Sequence, residues 1–228
     1  MTQKSTLTKD FTSLLYERYS CRGYLPTPVS REAMYQMFEM AQQTASWCNT
    51  QPWQVAVTSG AATRRFSEAL LEHAAKNQPG PDFATPSKYV GVYNTRRKES
   101  GIALYNSLGI QRHDTDAREE QALKNLSFFG APHVAVITTD RNQGIYGAID
   151  CGGYVNSLML AAQSLGIATI AQASIAMYSD AIREHFRFAN DRMVVCAVAF
   201  GYEDPDHPAN SFRTTRASLT YVLDEYTD

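Results

Sequence analysis

The sequence is poor in everything that would mark a metal centre. Its 228 residues include four cysteines, Cys21, Cys48, Cys151 and Cys196, with no CxxC pair, and five histidines, at 73, 113, 133, 185 and 207, with no ligand spacing. Zinc is disfavoured on both counts, and no metal is expected. Three of the cysteines sit in apolar or glycine-rich surroundings, where a reduced buried thiol is the ordinary outcome. Cys48 stands apart by its neighbours, but a nucleophilic role there would need a histidine or a helix end to lower its pKa. No apolar run reaches the ~20 residues that cross a bilayer. The first ten residues are polar and hold no signal-peptide core, so a cytoplasmic location is expected. A net charge of −2 gives no reason to expect nucleic acid or an anionic membrane surface. Glycine loops for nucleotide phosphates are also missing: there is no GxGxxG after a strand and no GxxxxGK[ST]. Gly144-Ile145-Tyr146-Gly147 is too common a tetrapeptide to mean phosphate binding. Neither a GxSxG elbow nor an HExxH helix occurs.

What is present is a large core. Hydrophobic residues make up 44% of the chain and charged residues 19%, as in a globular single domain. Helical spacing runs from about Thr6 to Arg18. It resumes after Ser30, an N-cap with Val29 and Met34 as a hydrophobic staple. A strand is predicted from Trp53 to Thr58 and a helix from about Ala62 to Ala75. Residues 77–95, with Pro79, Gly80, Pro81 and Pro86, are either a lid carrying Tyr89 and Tyr93 or an unstructured insertion. Helices follow over about Thr95–Leu108 and Thr115–Phe128, the second with Asp114 as a possible cap. A strand covered on both faces is predicted from His133 to Thr138. The helix from about Ala148 to Leu165 is apolar on nearly all sides, so it lies in a core or a subunit interface. Strands at 167–170 and 193–200 flank a helix capped by Ser179. The tail from Asp204 ends in Leu219–Leu223, an extended arm or edge strand. About seven helices and four or five strands without regular β-α-β alternation favour an α+β sandwich, a sheet flanked by helices.

Two features carry chemistry. Ser46-Trp47-Cys48-Asn49-Thr50-Gln51-Pro52-Trp53 packs amide side chains beside indoles. It can read the polar edge of a flat heteroaromatic ring, or it can simply join helix to strand. Arg18 and Arg22 flank Ser20, and Arg213 and Arg216 flank Thr214 and Thr215. Guanidinium forks suit phosphate oxygens; solvated basic turns are the alternative.

Glu17-Arg18-Tyr19-Ser20-Cys21-Arg22, the stretch from Ser46 to Trp53, Asn125 with Phe129-Gly130-Ala131-Pro132-His133, and Phe212-Arg213-Thr214-Thr215-Arg216 together resemble the FMN-dependent nitroreductase family. Their order and spacing agree over about residues 10–225, and the nitrobenzoate-reductase-like branch is nearest. The resemblance implies an α+β fold with a central, mostly antiparallel sheet. It implies an intertwined homodimer with FMN at the interface, a lid over about 77–129 and a C-terminal arm over about 204–228. Arg18, Tyr19 and Ser20 would hold the FMN phosphate and ribityl chain with Arg213 and Arg216, and Arg22 would approach the N1/O2 edge. Ser46, Trp47, Asn49 and Gln51 would meet the partner's flavin, Asn125 the pyrimidine side, and the backbone of Ala173, Ser174 and Ile175 the flavin N5. Tyr89, Tyr93, Phe128 and Phe129 would form a substrate wall. The implied activity is ping-pong reduction of nitroaromatics, quinones or similar flat acceptors by NAD(P)H, with the flavin rather than any side chain carrying the chemistry. A reductive dehalogenase or dehydrogenase of the same fold and a non-catalytic flavin sensor are the alternatives. Two departures stand out: Phe128 occupies a position where some relatives place lysine, and Ala173-Ser174 replaces an acidic-glycine pair.

Overall fold

Val134, Ala135, Val136 and Ile137 are all fully buried, which requires cover on both faces of the strand that holds them. The computed structural model, which describes residues 10–227, supplies it. Four strands, β1 (Gln54–Ser59), β2 (His133–Asp140), β3 (Ala168–Gln172) and β4 (Arg192–Gly201), form one sheet in the order β1-β2-β4-β3, with every neighbouring pair antiparallel. Ala135 and Ile137 face one core, where α2 (Arg31–Ala41) and α6 (Gly144–Ser164) bring Met37 and Leu158 against Phe200. Val134 and Val136 face the other, where α3 (Ala61–Lys76) and α7 (Ser179–Phe186) bring Phe66, Leu70 and Ile182. The expected α+β sandwich is therefore found, with seven α-helices among the described residues.

Local signals set most of the boundaries. Ser30 Oγ accepts from Ala33 N at 3.1 Å at the start of α2, and Val29 is buried behind it, as the staple predicts. The first helix, α1, spans Phe11–Glu17 with Asp10 as its cap; the expected start near Thr6 lies outside the described residues. Other boundaries moved. α4 spans Gly91–Ser107, because the positive φ of Gly91 turns the chain into the helix early, and the irregular stretch shrinks to 77–90. α5 stops at Leu123, well before Phe128, because Phe128 and Phe129 adopt φ of 56° and 54° and form a separate 3₁₀ turn. Asp114 stands at the N-cap position of α5, but its side chain makes no capping bond; its Oδ2 accepts from Gln111 N at 3.0 Å. Ser179 is the first residue of α7 rather than its cap, and its hydroxyl donates to Ala176 O. The tail makes a 3₁₀ turn at Leu219–Tyr221 and, among the described residues, no strand. Among the described residues, no helix is long and apolar enough to cross a membrane.

The outer edge of β3 positions the site. Ser20 forms a parallel bridge with Thr169, and Cys21 N donates to Thr169 O at 3.0 Å. The tail folds back onto this N-terminal segment so tightly that a Cβ on Gly23 would lie 2.1 Å from the His207 ring.

Candidate active site

Three groups of polar side chains result. The first joins the two ends of the chain. Arg22 N donates to Asn210 Oδ1 at 2.8 Å, and Asn210 Nδ2 donates to Gly23 O and Asp204 O, both at 2.9 Å. The Arg213 guanidinium lies 3.6 Å from the centroid of the Tyr19 ring. Arg18 is pulled below the usual guanidinium pKa, first by its burial and then by the nearby charge of Arg216. Two cations from opposite ends of the sequence are thus held in mutual repulsion, an arrangement that a bound anion relieves. Burial also raises the Tyr19 hydroxyl pKa, with the negative charge of Glu203 adding to the rise, and the buried Tyr19 hydroxyl makes no hydrogen bond among the described residues. Beside this cluster runs a groove of about 870 Å³, lined by Thr95, Arg96 and Glu99 of α4 and by Arg213, Thr214, Thr215 and Arg216 of the tail.

Arg22 extends the cluster toward the second group. Its Nη1 donates to Ser20 O at 3.1 Å, and its guanidinium stands 5.8 Å from the Phe129 ring and 5.7 Å from the Phe212 ring. Two aromatic faces hold this cation, and burial lowers its pKa. The second group lies at the far end of β3, where Gln172 is about 10 Å along the strand from Thr169 at ~3.3 Å per residue. Ser174 Oγ donates to Asn125 Oδ1 at 3.1 Å. Gln172 Nε2 donates to Asn125 O at 3.0 Å and to Asn125 Oδ1 at 3.3 Å, while Gln172 Oε1 is buried without a hydrogen-bond partner. The loop holding Asn125 and the turn holding Ala173, Ser174 and Ile175 are therefore one unit. A depression of about 380 Å³ opens beside it, lined by Leu123, Asn125, Ser174, Met177 and Tyr178.

The third group is the loop after α2. Cys48, Asn49 and Gln51 take φ of 50°, 56° and 47°. Side-chain bonds hold the loop: Gln51 N donates to Ser46 Oγ at 2.9 Å, Gln51 Nε2 to Asn49 Oδ1 at 3.1 Å, and Gln42 Nε2 to Gln51 Oε1 at 3.0 Å. Trp47 N donates to Asp150 Oδ2 at 3.1 Å, and the Trp47 ring meets Tyr146 edge-on at 4.1 Å, so the loop rides on α6. All its side chains from Trp47 to Gln51 are exposed, and no hydrogen bond among the described residues joins it to the other two groups.

The four residues expected at a substrate wall divide by burial. Phe128 is fully buried, stacked on Phe66 at 5.2 Å, and Phe129 is 8% exposed. Their positive φ values turn both rings inward, so neither presents a wall within one chain. Tyr89 and Tyr93 are exposed, but neither lines the groove or the depression. Two supporting residues escaped sequence reasoning. Asn210 and Gln172 are buried polar side chains with no motif around them; only the fold supplies their partners. The buried thiols behave as expected: burial pushes Cys151 and Cys196 up to about 12 and raises Cys21.

The Nitroreductase family model matches residues 15–202. The chain belongs to the nitroreductase family. It is 38% identical over 208 residues to nitroreductase NfnB of Mycolicibacterium smegmatis, covering 91% of this chain and 88% of that one. It is 33% identical to the 4-nitrobenzoate reductase of Nocardioides sp., covering 94% of this chain and 91% of that one. Among solved structures, it superposes with a TM-score of 0.90 at 35% identity on the FMN-dependent nitroreductase NfnB from Mycobacterium smegmatis in complex with NADPH. That match covers 95% of this chain and 97% of the other.

Proposed function

We propose that this nitroreductase-family chain is an FMN-dependent NAD(P)H oxidoreductase that reduces nitroaromatics, quinones or similar flat acceptors. The observation that carries the proposal is the convergence of cations from opposite ends of the chain: Arg213 and Arg216 line an open groove, and the charge of Arg216 bears on the half-buried Arg18. A dianionic phosphate fits this donor set. Arg18, Ser20, Arg213 and Arg216 would hold that phosphate, with Tyr19 supporting Arg213. FMN bound there would supply two-electron chemistry, taking hydride from NAD(P)H and passing it to the acceptor in alternate half-reactions. Arg22, held between two aromatic rings, is a fixed cation that favours negative charge at the ring edge. With Phe128 buried, Arg22 meets no second cation at that position. Asn125, pinned by Gln172 and Ser174, orients the pyrimidine side, and the Ala173–Ile175 backbone offers donors to N5.

The same reading includes a homodimer. Asn49 and Gln51 stand apart from the phosphate cluster on an exposed loop, which suits a site completed by a second copy. Ile145, Tyr146 and Ile149 leave an apolar face of α6 exposed beside that loop, and Gly152 and Gly153 are exposed on the same helix. The tail leaves Leu219, Tyr221, Val222 and Tyr226 exposed, and β1 is a sheet edge that an intertwined arm could pair with. We read the chain as one domain with a lid within 77–129 and an arm over 204–228, working in the cytoplasm.

The test is the visible spectrum of the purified protein, followed by anaerobic addition of NADPH and then 4-nitrobenzoate. A yellow protein that bleaches with NADPH and regains colour with the acceptor is expected. A protein that takes up no FMN refutes the proposal. Sedimentation at micromolar concentration tests the dimer, and a monomer that binds FMN would refute the two-copy site.

A further inference from the structure

The base of the irregular stretch 77–90 is sewn to the turn Ile175–Met177 by a chain of short bonds. Gly80 N donates to Met177 O at 2.8 Å. Asp82 N donates to Ser179 Oγ at 3.3 Å, and Ser179 Oγ in turn donates to Ala176 O at 2.9 Å. The Asp82 carboxylate anchors this arrangement to the core. It accepts from Arg183 Nη1 at 2.8 and 2.7 Å and from Val194 N at 2.7 Å. Its side chain is 7% exposed and that of Arg183 15%. Val194 needs this acceptor because β3 stops opposite Ala197, leaving the continuation of β4 without a strand on that side.

We propose that Asp82 is a positioning residue for the turn that follows Ser174, acting through Ser179 and Met177 and tying the start of the lid to the segment offered to the flavin N5. The inference rests on the functional reading above. A buried carboxylate bonded to a guanidinium and to a strand N–H has one geometry available to it. Everything bonded to its own backbone inherits that geometry. Misplacement of reacting groups by about 1 Å can cost on the order of a hundredfold in rate, so this anchor acts on turnover more than on binding.

The test uses Asp82→Asn and Ser179→Ala in the full chain, with two readouts. In the FMN-free chain, hydrogen exchange of the 173–179 segment is expected to accelerate about tenfold, with the strands unchanged. In the FMN-loaded enzyme, kcat is expected to fall about tenfold while KM for NADPH stays within about twofold. Equal exchange at 173–179 in both variants and the parent overturns the inference. So does exchange that rises uniformly across the molecule, which would mean lost stability alone. Should Asp82→Asn fail to fold, Ser179→Ala decides the matter by the same two readouts. A parent chain that binds no FMN overturns the functional reading, whereas a loaded parent with indistinguishable variants overturns this inference alone.

Discussion

Replacing Arg216 by glutamine should push the empty and the flavin-bound protein in opposite directions. In the empty protein, Arg216 is exposed. Its Nη1 reaches only neighbouring groups, Thr214 Oγ1 at 2.9 Å and Thr215 O at 2.9 Å, and its charge opposes that of the half-buried Arg18. Removing it relieves a repulsion, worth less than about 1 kcal/mol at an exposed position. The apo melting temperature should stay level or rise slightly. If Arg216 holds the phosphate as proposed, the same change in the bound protein deletes a charge-assisted hydrogen bond worth about 1.5–3 kcal/mol. That corresponds to an FMN dissociation constant weaker by about 10- to 150-fold.

Thermal shift measures both effects at once. At FMN equal to a hundred times the parent's dissociation constant, ligand binding adds about 2.7 kcal/mol of stability. With affinity weakened about thirtyfold, the same FMN concentration adds about 0.9 kcal/mol. For a chain of this size, the FMN-induced rise in Tm should shrink from about 5–11 °C to about 2–4 °C. If Arg216→Gln binds FMN within twofold of the parent, or if its apo form melts lower by as much as the lost FMN shift, the assignment of this cluster to phosphate is wrong.

Other tests follow from the same structure. Asn49→Ala and Gln51→Ala should each weaken FMN retention, measured by fluorescence of released flavin, while apo Tm stays within a few degrees because both side chains lie outside the core. Phe128→Ala should cost about 3–5 kcal/mol of stability in urea unfolding, as expected for a fully buried aromatic; a raised KM for the nitroarene with unchanged stability would restore its place on a substrate wall. His133 links stability to pH. Its Nε2 accepts from Val29 N at 2.9 Å, its Nδ1 lies 2.8 Å from Ser59 Oγ, and burial lowers its pKa. The folded state therefore holds it neutral while the unfolded chain takes up the proton first. Its contribution is fully present above the ordinary histidine value of about 6.5 and is lost as pH falls from there toward the depressed folded value. Urea midpoints at pH 8 and pH 5 should differ by less in His133→Gln than in the parent.

How much of this was legible in the sequence depended on where each residue's partners lie. β2 and β4 were readable because cover on both faces turns alternation into a continuous apolar run. α2 was readable because Ser30 and Val29 act within one turn of the helix they start. The ends of α4 and α5 were not: Gly91 follows an irregular stretch that already holds Gly80 and three prolines, and the positive φ of the buried Phe128 and Phe129 leaves no compositional trace. The arginines stood out individually, yet their convergence comes from the parallel bridge of Ser20 to β3 and the return of the tail. Asn210 lies 188 residues from the Arg22 amide it accepts from. No local pattern could announce such a pair, and the same holds for Gln172 and Asn125.

Backbone strain divides the two loops that carry the site. Of the six non-glycine residues with positive φ among the described residues, Cys48, Asn49 and Gln51 fall in one segment, Phe128 and Phe129 in another, and Arg187 lies apart at the end of α7. Each costs on the order of 1–2 kcal/mol relative to an ordinary conformation. At 128 and 129 the cost is offset locally, since two aromatic side chains are buried, one against Phe66 and one beneath the Arg22 guanidinium. At 48–51 nothing comparable is buried; the loop is held by exposed amide bonds among Gln42, Ser46, Asn49 and Gln51, each worth little against water. Strained backbone persists where surrounding structure over-determines it, and in the proposed dimer contact with a second copy would add to the few intrachain bonds that hold this loop. The exposed Trp47–Tyr146 pair and the apolar face of α6 beside it mark where a second copy would supply that contact. If the proposed two-copy site holds, the strained amides and FMN retention share one cause, and dimer dissociation should release FMN and relax residues 48–51 together.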